Sequence, residues 1–165
     1  MAPTISERRK AIHHVVHEYA NFVSSAHMVI KGDHLGKVFE SPINVHLAHA
    51  FLLNCRKMAD FFDSNGNKSS KDDVVAWHYV STVSFDMLIS KQWREPLNKQ
   101  LAHVTYTRDK KPKEPLKEDQ EALRKEITEA WTLFLGHLPE PYKTDFGNEI
   151  AAANKKQGFE HLTLR

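Results

Sequence analysis

Among the polar residues in a mostly apolar run near the middle of this chain, His49, Arg56 and Asp60 have a spacing that could do chemistry. They stand at i, i+7 and i+11, which on an α-helix puts them within about 40° of one another. A guanidinium offers a planar fork for a phosphate or a carboxylate, and an aspartate four residues on can orient it. A charge on a buried helix is costly unless it is paired. The set therefore reads in two ways. It is a polar site inside a helical bundle, or it is the solvent edge of its helix with Arg56 and Asp60 joined as an i, i+4 bridge.

A second segment runs Asn98-Lys99-Gln100-Leu101-Ala102-His103-Val104-Thr105-Tyr106. His103 can give and take a proton near neutral pH. Tyr106, three residues on, lies on nearly the same helical face. Asn98 can hydrogen-bond a phosphate oxygen, and Lys99 counts with it as a binding residue.

The chain has 11 histidines. His13 and His17 at i, i+4 and His46 and His49 at i, i+3 have spacings that can seat a metal. There is no Glu-x-x-His and no His-Glu-x-x-His, and His13 and His17 fall about 100–140° from the centre of their helix's apolar stripe, so solvated side chains are expected and no metal is predicted. No cofactor is expected either, because no Gly-rich phosphate loop, Gly-x-Ser-x-Gly or Cys-x-x-Cys is present. Cys55 sits in the apolar run, where burial makes a nucleophilic role improbable. Lys110, Lys111, Lys113 and Lys117 interleave with Glu114, Glu118, Asp119 and Glu121, which reads as a solvated helix start rather than a phosphate-binding patch.

The elements that must position these residues follow from hydrophobic period. Ser6 can cap a first helix whose stripe is Ile12, Val16, Tyr19, Val23, Ala26 and Ile30. Gly32, Asp33 and Gly36 close it. Ser41 and Pro42 read as a cap and first helical position. From Ile43 to Phe62 the chain is apolar on most sides, the pattern of a central helix. Asp63 to Lys71 is a polar loop. Asp72 to Trp93 reads as an irregular, partly helical cover that buries Trp77, Phe85, Leu88 and Trp93. Pro96 opens a helix with Leu97, Leu101 and Val104 on one stripe, and Arg108 to Pro115 is a charged linker. Leu116, Leu123, Ile127, Ala130, Trp131, Phe134 and Leu138 mark a long amphipathic helix that Pro139 and Pro141 end. A last helix is expected from about Tyr142 to Lys156, with Gly158 before a tail. The expected fold is all-α, an up-and-down bundle of four to five main helices with that irregular cover. It forms a single domain over 1–165, with its main core at about 6–138 and a C-terminal helix and tail at 139–165.

Composition agrees with this reading. Leu, Ile, Val and Phe make up about a quarter of the 165 residues, too many for a disordered chain. Gly and Pro number only 6 and 7, which excludes collagen and a Gly-rich β array. The net charge of +2 is too balanced to mark a nucleic-acid binder by itself. The lone Cys55 excludes an intrachain disulfide, and a cytoplasmic location is expected. The first ten residues are charged and show no signal peptide. No apolar stretch is long enough to span a membrane.

At Leu101-Ala102-His103 and Arg56-Lys57-Met58-Ala59-Asp60-Phe61-Phe62 the chain resembles the HEPN superfamily (higher eukaryotes and prokaryotes nucleotide-binding), small all-α domains whose motif is an Arg, four to six residues, then a His. The resemblance covers about Val45 to Arg108. Bacterial helical proteins of unknown function, with similar Arg-x-x-x-Asp-Phe-Phe and Asn-Lys-x-x-Ala-His-x-Thr-Tyr segments, resemble it more closely still. The resemblance implies metal-independent RNA cleavage. His103 would move the proton as the ribose 2′-OH attacks, and an Arg would hold the phosphate. It also implies a homodimer, with RNA, a nucleotide or an antitoxin-like protein as partner and no membrane. Asn98 occupies the position of the family's Arg, and a neutral amide does not stabilise a phosphorane-like transition state. Either Arg56 supplies that charge from the neighbouring helix, or the domain is inactive. Some members are toxins regulated by nucleotide transfer to a Tyr two residues after the His. Tyr106 is three residues after.

The expectation is accordingly a HEPN-like helical module that binds a nucleotide, RNA or a protein as a homodimer without strong catalysis. The alternative is a ribonuclease using His103, Arg56, Asn98 and Tyr106, with His49, Asp60 and Lys99 binding. A third reading is a His-rich metal-binding bundle.

Overall fold

The computed structural model describes residues 3–31, 42–63, 73–85, 89, 92–93, 97 and 117–157. Four main helices and one short 3-10 turn account for most of them: α1 (Ile5–Lys31), α2 (Pro42–Phe62), the turn Ala76–His78, α3 (Lys117–Gly136) and α4 (Tyr142–Gln157). There is no strand among the described residues. The fold is an all-α bundle.

Thr4, rather than Ser6, starts α1. Its Oγ1 accepts from the Glu7 N–H at 3.3 Å, and the Glu7 carboxylate accepts from the Thr4 N–H at 2.7 Å and from the Thr4 hydroxyl at 2.8 Å. This reciprocal pair satisfies donors that a helix start leaves open. Ser6 lies inside the first turn. The Glu7 carboxyl is held below its ordinary range by those two bonds to Thr4. Pro42 stands first in α2, where a missing N–H costs nothing. Ser41, Gly32, Asp33 and Gly36 lie outside the described residues, as do the 64–71 loop and the 108–115 linker.

α1 buries Ile12, Val15, Val16, Tyr19, Ala20, Phe22 and Ala26, so of the expected stripe Ile12, Val16, Tyr19 and Ala26 are inside and Val23 is half-buried, while the Ile30 side chain lies outside the described residues. It packs against all three other helices. α2 buries Phe51, Leu52, Cys55, Met58, Ala59, Phe61 and Phe62 but leaves His46, His49, Ala50, Leu53, Lys57 and Asp60 exposed. The central helix is therefore α1, and α2 is amphipathic. Contacts along the two helices run in opposite order, from Glu18 with Lys57 to Ser25 with Asn54, so they are antiparallel. α1 and α4 are parallel, because Arg9 meets Asp145 and His13 meets Glu149.

The core is aromatic. Phe134 on α3 is fully buried and lies 5.3 Å from the rings of both Phe61 and Phe146, and 6.1 Å from Tyr79 and from Phe85. Edge-on geometry dominates these pairs, as the ring quadrupole favours. Tyr19 of α1 stacks on Trp131 of α3 at 4.1 Å. Leu123, Ile127 and Leu138 complete the α3 side, and Tyr142 and Ile150 the α4 side.

The cover segment departs from expectation most at Trp77. Phe85 is fully buried, but Trp77 is 48% exposed. The turn is anchored through its backbone and its neighbour instead. Arg8 Nη1 donates to the His78 carbonyl at 2.6 Å, and the Tyr79 hydroxyl donates to the Arg8 carbonyl at 2.9 Å. Val75, Ala76, Tyr79 and Val80 point inward. Trp93 is half-buried, Ile89 and Leu97 are buried, and Leu88, Leu101 and Val104 lie outside the described residues. No helix among the described residues is long and apolar enough to cross a membrane.

Candidate functional site

The outward face of α2 carries His46, His49, Ala50, Leu53, Arg56, Lys57 and Asp60, set by the 3.6-residue period once the inner face has met α1 and α3. Arg56 Nε lies 3.6 Å from Asp60 Oδ2, with the two side chains 31% and 66% exposed. The guanidinium is thus half sheltered and tethered, on a face open to solvent. Lys57 is committed to the helix pair: its Nζ donates to Glu18 of α1 at 2.8 Å. Asn54, half-buried beside them, donates to the Asn21 carbonyl at 3.2 Å and to the Ser25 hydroxyl at 3.1 Å. His49, Arg56 and Asp60 do share one face, as their spacing requires. That face is the edge of the bundle and not its interior. Asn98, Lys99, His103 and Tyr106 all lie outside the described residues.

A second polar surface was not legible in the chain. Between the N-terminal half of α1 and α4 lies an open cleft of about 590 Å³, walled by Ile5, Ile12, Arg9, Lys10, Asp145 and Glu149. Two polar contacts cross it one helical turn apart, an ion pair and a histidine–carboxylate hydrogen bond. Arg9 grips Asp145 with both prongs of its fork, and His13 Nδ1 approaches Glu149 Oε2 at 3.2 Å. The Arg9 guanidinium is held charged still more firmly by Asp145. The signal in the sequence is the matched i, i+4 spacing of Arg9 with His13 and of Asp145 with Glu149. Nothing local reveals that these two turns face each other.

Burial limits the chemistry of several reactive side chains. The Cys55 thiol is buried and pushed well up by desolvation, so it is no nucleophile at neutral pH. Desolvation also pushes the Tyr19 hydroxyl up to about 12 and raises that of Tyr79. Neither is a base or acid at physiological pH. His78 is lowered by burial first and by nearby Arg8 second. No group of three or more His, Cys, Asp or Glu side chains among the described residues is arranged to hold a metal ion.

In comparisons with protein-family models, curated proteins and solved structures, nothing matches this chain.

Proposed function

We propose that this chain is a HEPN-like helical module that binds a phosphate-bearing ligand, RNA or a nucleotide, as a homodimer and without strong catalysis. The observation that carries this reading is Arg56, a guanidinium tethered by Asp60 at 3.6 Å yet open to solvent, on the face that also displays His49. A guanidinium so placed is ready to form a forked contact with a phosphate. The tether lowers the side-chain entropy that binding must remove. The homodimer and the nucleic-acid class come from the family resemblance and not from this face alone. Cys55, Tyr19 and Tyr79, held protonated, do not favour catalysis.

The experiment is a binding titration of fluorescent single-stranded RNA, with light scattering to give the mass in solution. Arg56→Ala is expected to weaken binding about tenfold, roughly 1.4 kcal/mol. Lys125→Ala, on the exposed side of α3, is expected to change it little. Equal affinity for the parent and Arg56→Ala would remove α2 as the binding face. A cleavage assay with EDTA runs alongside. EDTA-resistant cleavage lost in His103→Ala would replace the binding reading with the ribonuclease one.

A further inference from the structure

His13, His14 and His17 stand together, all exposed, on the outward face of α1. The rings of His13 and His17 lie 6.4 Å apart, with planes only 16° from parallel. His14 stands 5.6 Å from His13 and is turned by 66°, away from that alignment. From α4, Glu149 Oε2 approaches His13 Nδ1 at 3.2 Å.

That last contact sets the chemistry of the ring. A carboxylate only accepts, so the hydrogen of neutral His13 sits on Nδ1. Its lone pair is then on Nε2, on the far side of the ring from α4. A carboxylate behind an imidazole in this way selects the tautomer and fixes the orientation of the ring, as in metal centres whose ligands are oriented from behind. His17, one turn along, presents a second imidazole nearly parallel to the first.

We propose that His13 and His17, with Glu149 as the orienting carboxylate, form an open site for a divalent transition-metal ion of borderline softness, such as Zn²⁺, Ni²⁺ or Cu²⁺. Imidazole suits these ions better than it suits Mg²⁺ or Ca²⁺. Two nitrogens about 2.0–2.1 Å from one ion bring their ring centres to roughly 5–6 Å, so binding requires a side-chain rotation of His17 that shortens the gap and turns one of its nitrogens toward His13 Nε2. Water completes the coordination, because two protein ligands make an open site and not a closed cage. Of the nearby cations, Arg9 is met by Asp145, and Lys10 is the charge that opposes the ion. The site is independent of the RNA-binding reading, which rests on α2.

The test uses the full chain prepared without a polyhistidine tag. Zn²⁺ is titrated in competition with a chromophoric chelator, and the titration is repeated with Ni²⁺. One ion per chain is expected. His13→Ala and His17→Ala should each lower affinity at least tenfold. Glu149→Gln should lower it about tenfold through the lost orientation. His46→Ala with His49→Ala, the exposed histidine pair on α2, should leave it unchanged. Circular dichroism of each variant checks that the helices persist, which is expected because every changed side chain is on the surface. Parental affinity in either α1 variant, loss in the α2 variant, or no saturable binding in the parent would overturn the proposal.

Discussion

Arg9 and Asp145, 136 positions apart in the chain, are joined by two parallel hydrogen bonds, Nε to Oδ2 at 2.6 Å and Nη2 to Oδ1 at 2.9 Å. With the Arg9 side chain 52% exposed and Asp145 21%, the pair lies at the surface. Its geometry is the bidentate one that fixes orientation, and its exposure keeps it weak. It sets the register of α4 along α1 more than it stabilises the bundle. A double-mutant cycle of Arg9→Ala and Asp145→Ala, followed by urea unfolding, should show a small favourable coupling at low salt. The coupling should fade by 1 M NaCl. A coupling that salt does not reduce would show the pair to be shielded from solvent.

Phe134 is the residue on which the core depends most. It is fully buried and meets rings from α2, α4 and the segment around the 3-10 turn. Phe134→Ala should cost about 3–5 kcal/mol, a large share of a domain's stability. Phe134→Leu should cost clearly less, since it leaves a smaller cavity. Denaturant midpoints for the two variants check the order.

Stability should fall in alkali. The Tyr19 hydroxyl is pushed up to about 12, mainly by desolvation, against an ordinary value of 10.0. The folded state therefore holds its proton where the unfolded chain has lost it. The stabilisation is complete below pH 10 and is lost as pH rises toward 12, worth about 3 kcal/mol from this group. Tyr79 and Cys55, also raised, act in the same direction. Urea unfolding at pH 9, 10 and 11 should show the decline, and Tyr19→Phe should flatten part of it.

Trp77 is 48% exposed, while Trp131 is only 3% exposed. Iodide should quench a red-edge part of the tryptophan emission, and Trp77→Phe should remove that part. The stability change should stay within about 0.5 kcal/mol, the usual range for a surface substitution. A large loss would place the indole inside the core instead.

Hydrophobic period and chain breakers are enough to read the four described helices, while the helix expected from Pro96 lies almost wholly outside the described residues. The apolar stripes of α1 and α3 place Ile12, Val16, Tyr19, Ile127 and Phe134 correctly inside. Pro42 marks the start of α2, while Pro139 and Pro141 separate α3 from α4. The common face of His49, Arg56 and Asp60 was also legible, because side-chain direction along a helix follows from spacing alone. Ser6 resembles a cap by residue type alone. The reciprocal Thr4–Glu7 pair, visible as Thr-x-x-Glu, was the stronger signal.

Tertiary packing decided what spacing does not contain. A helical period says which residues share a face, but not which face meets another helix. That is why α1 rather than α2 is central, and why Arg56 stands at the edge of the bundle. Trp77 was expected inside because it is large and apolar. The turn instead buries Tyr79 and Val80 and turns Trp77 out, a choice made where Arg8 meets the His78 carbonyl. The pairing of Arg9 with Asp145 and of His13 with Glu149 depends on two helices far apart in the chain lying parallel. Local sequence carries periodicity, caps and breaks, because these arise from contacts within a few residues. The polar cleft between α1 and α4 arises from contacts across more than a hundred.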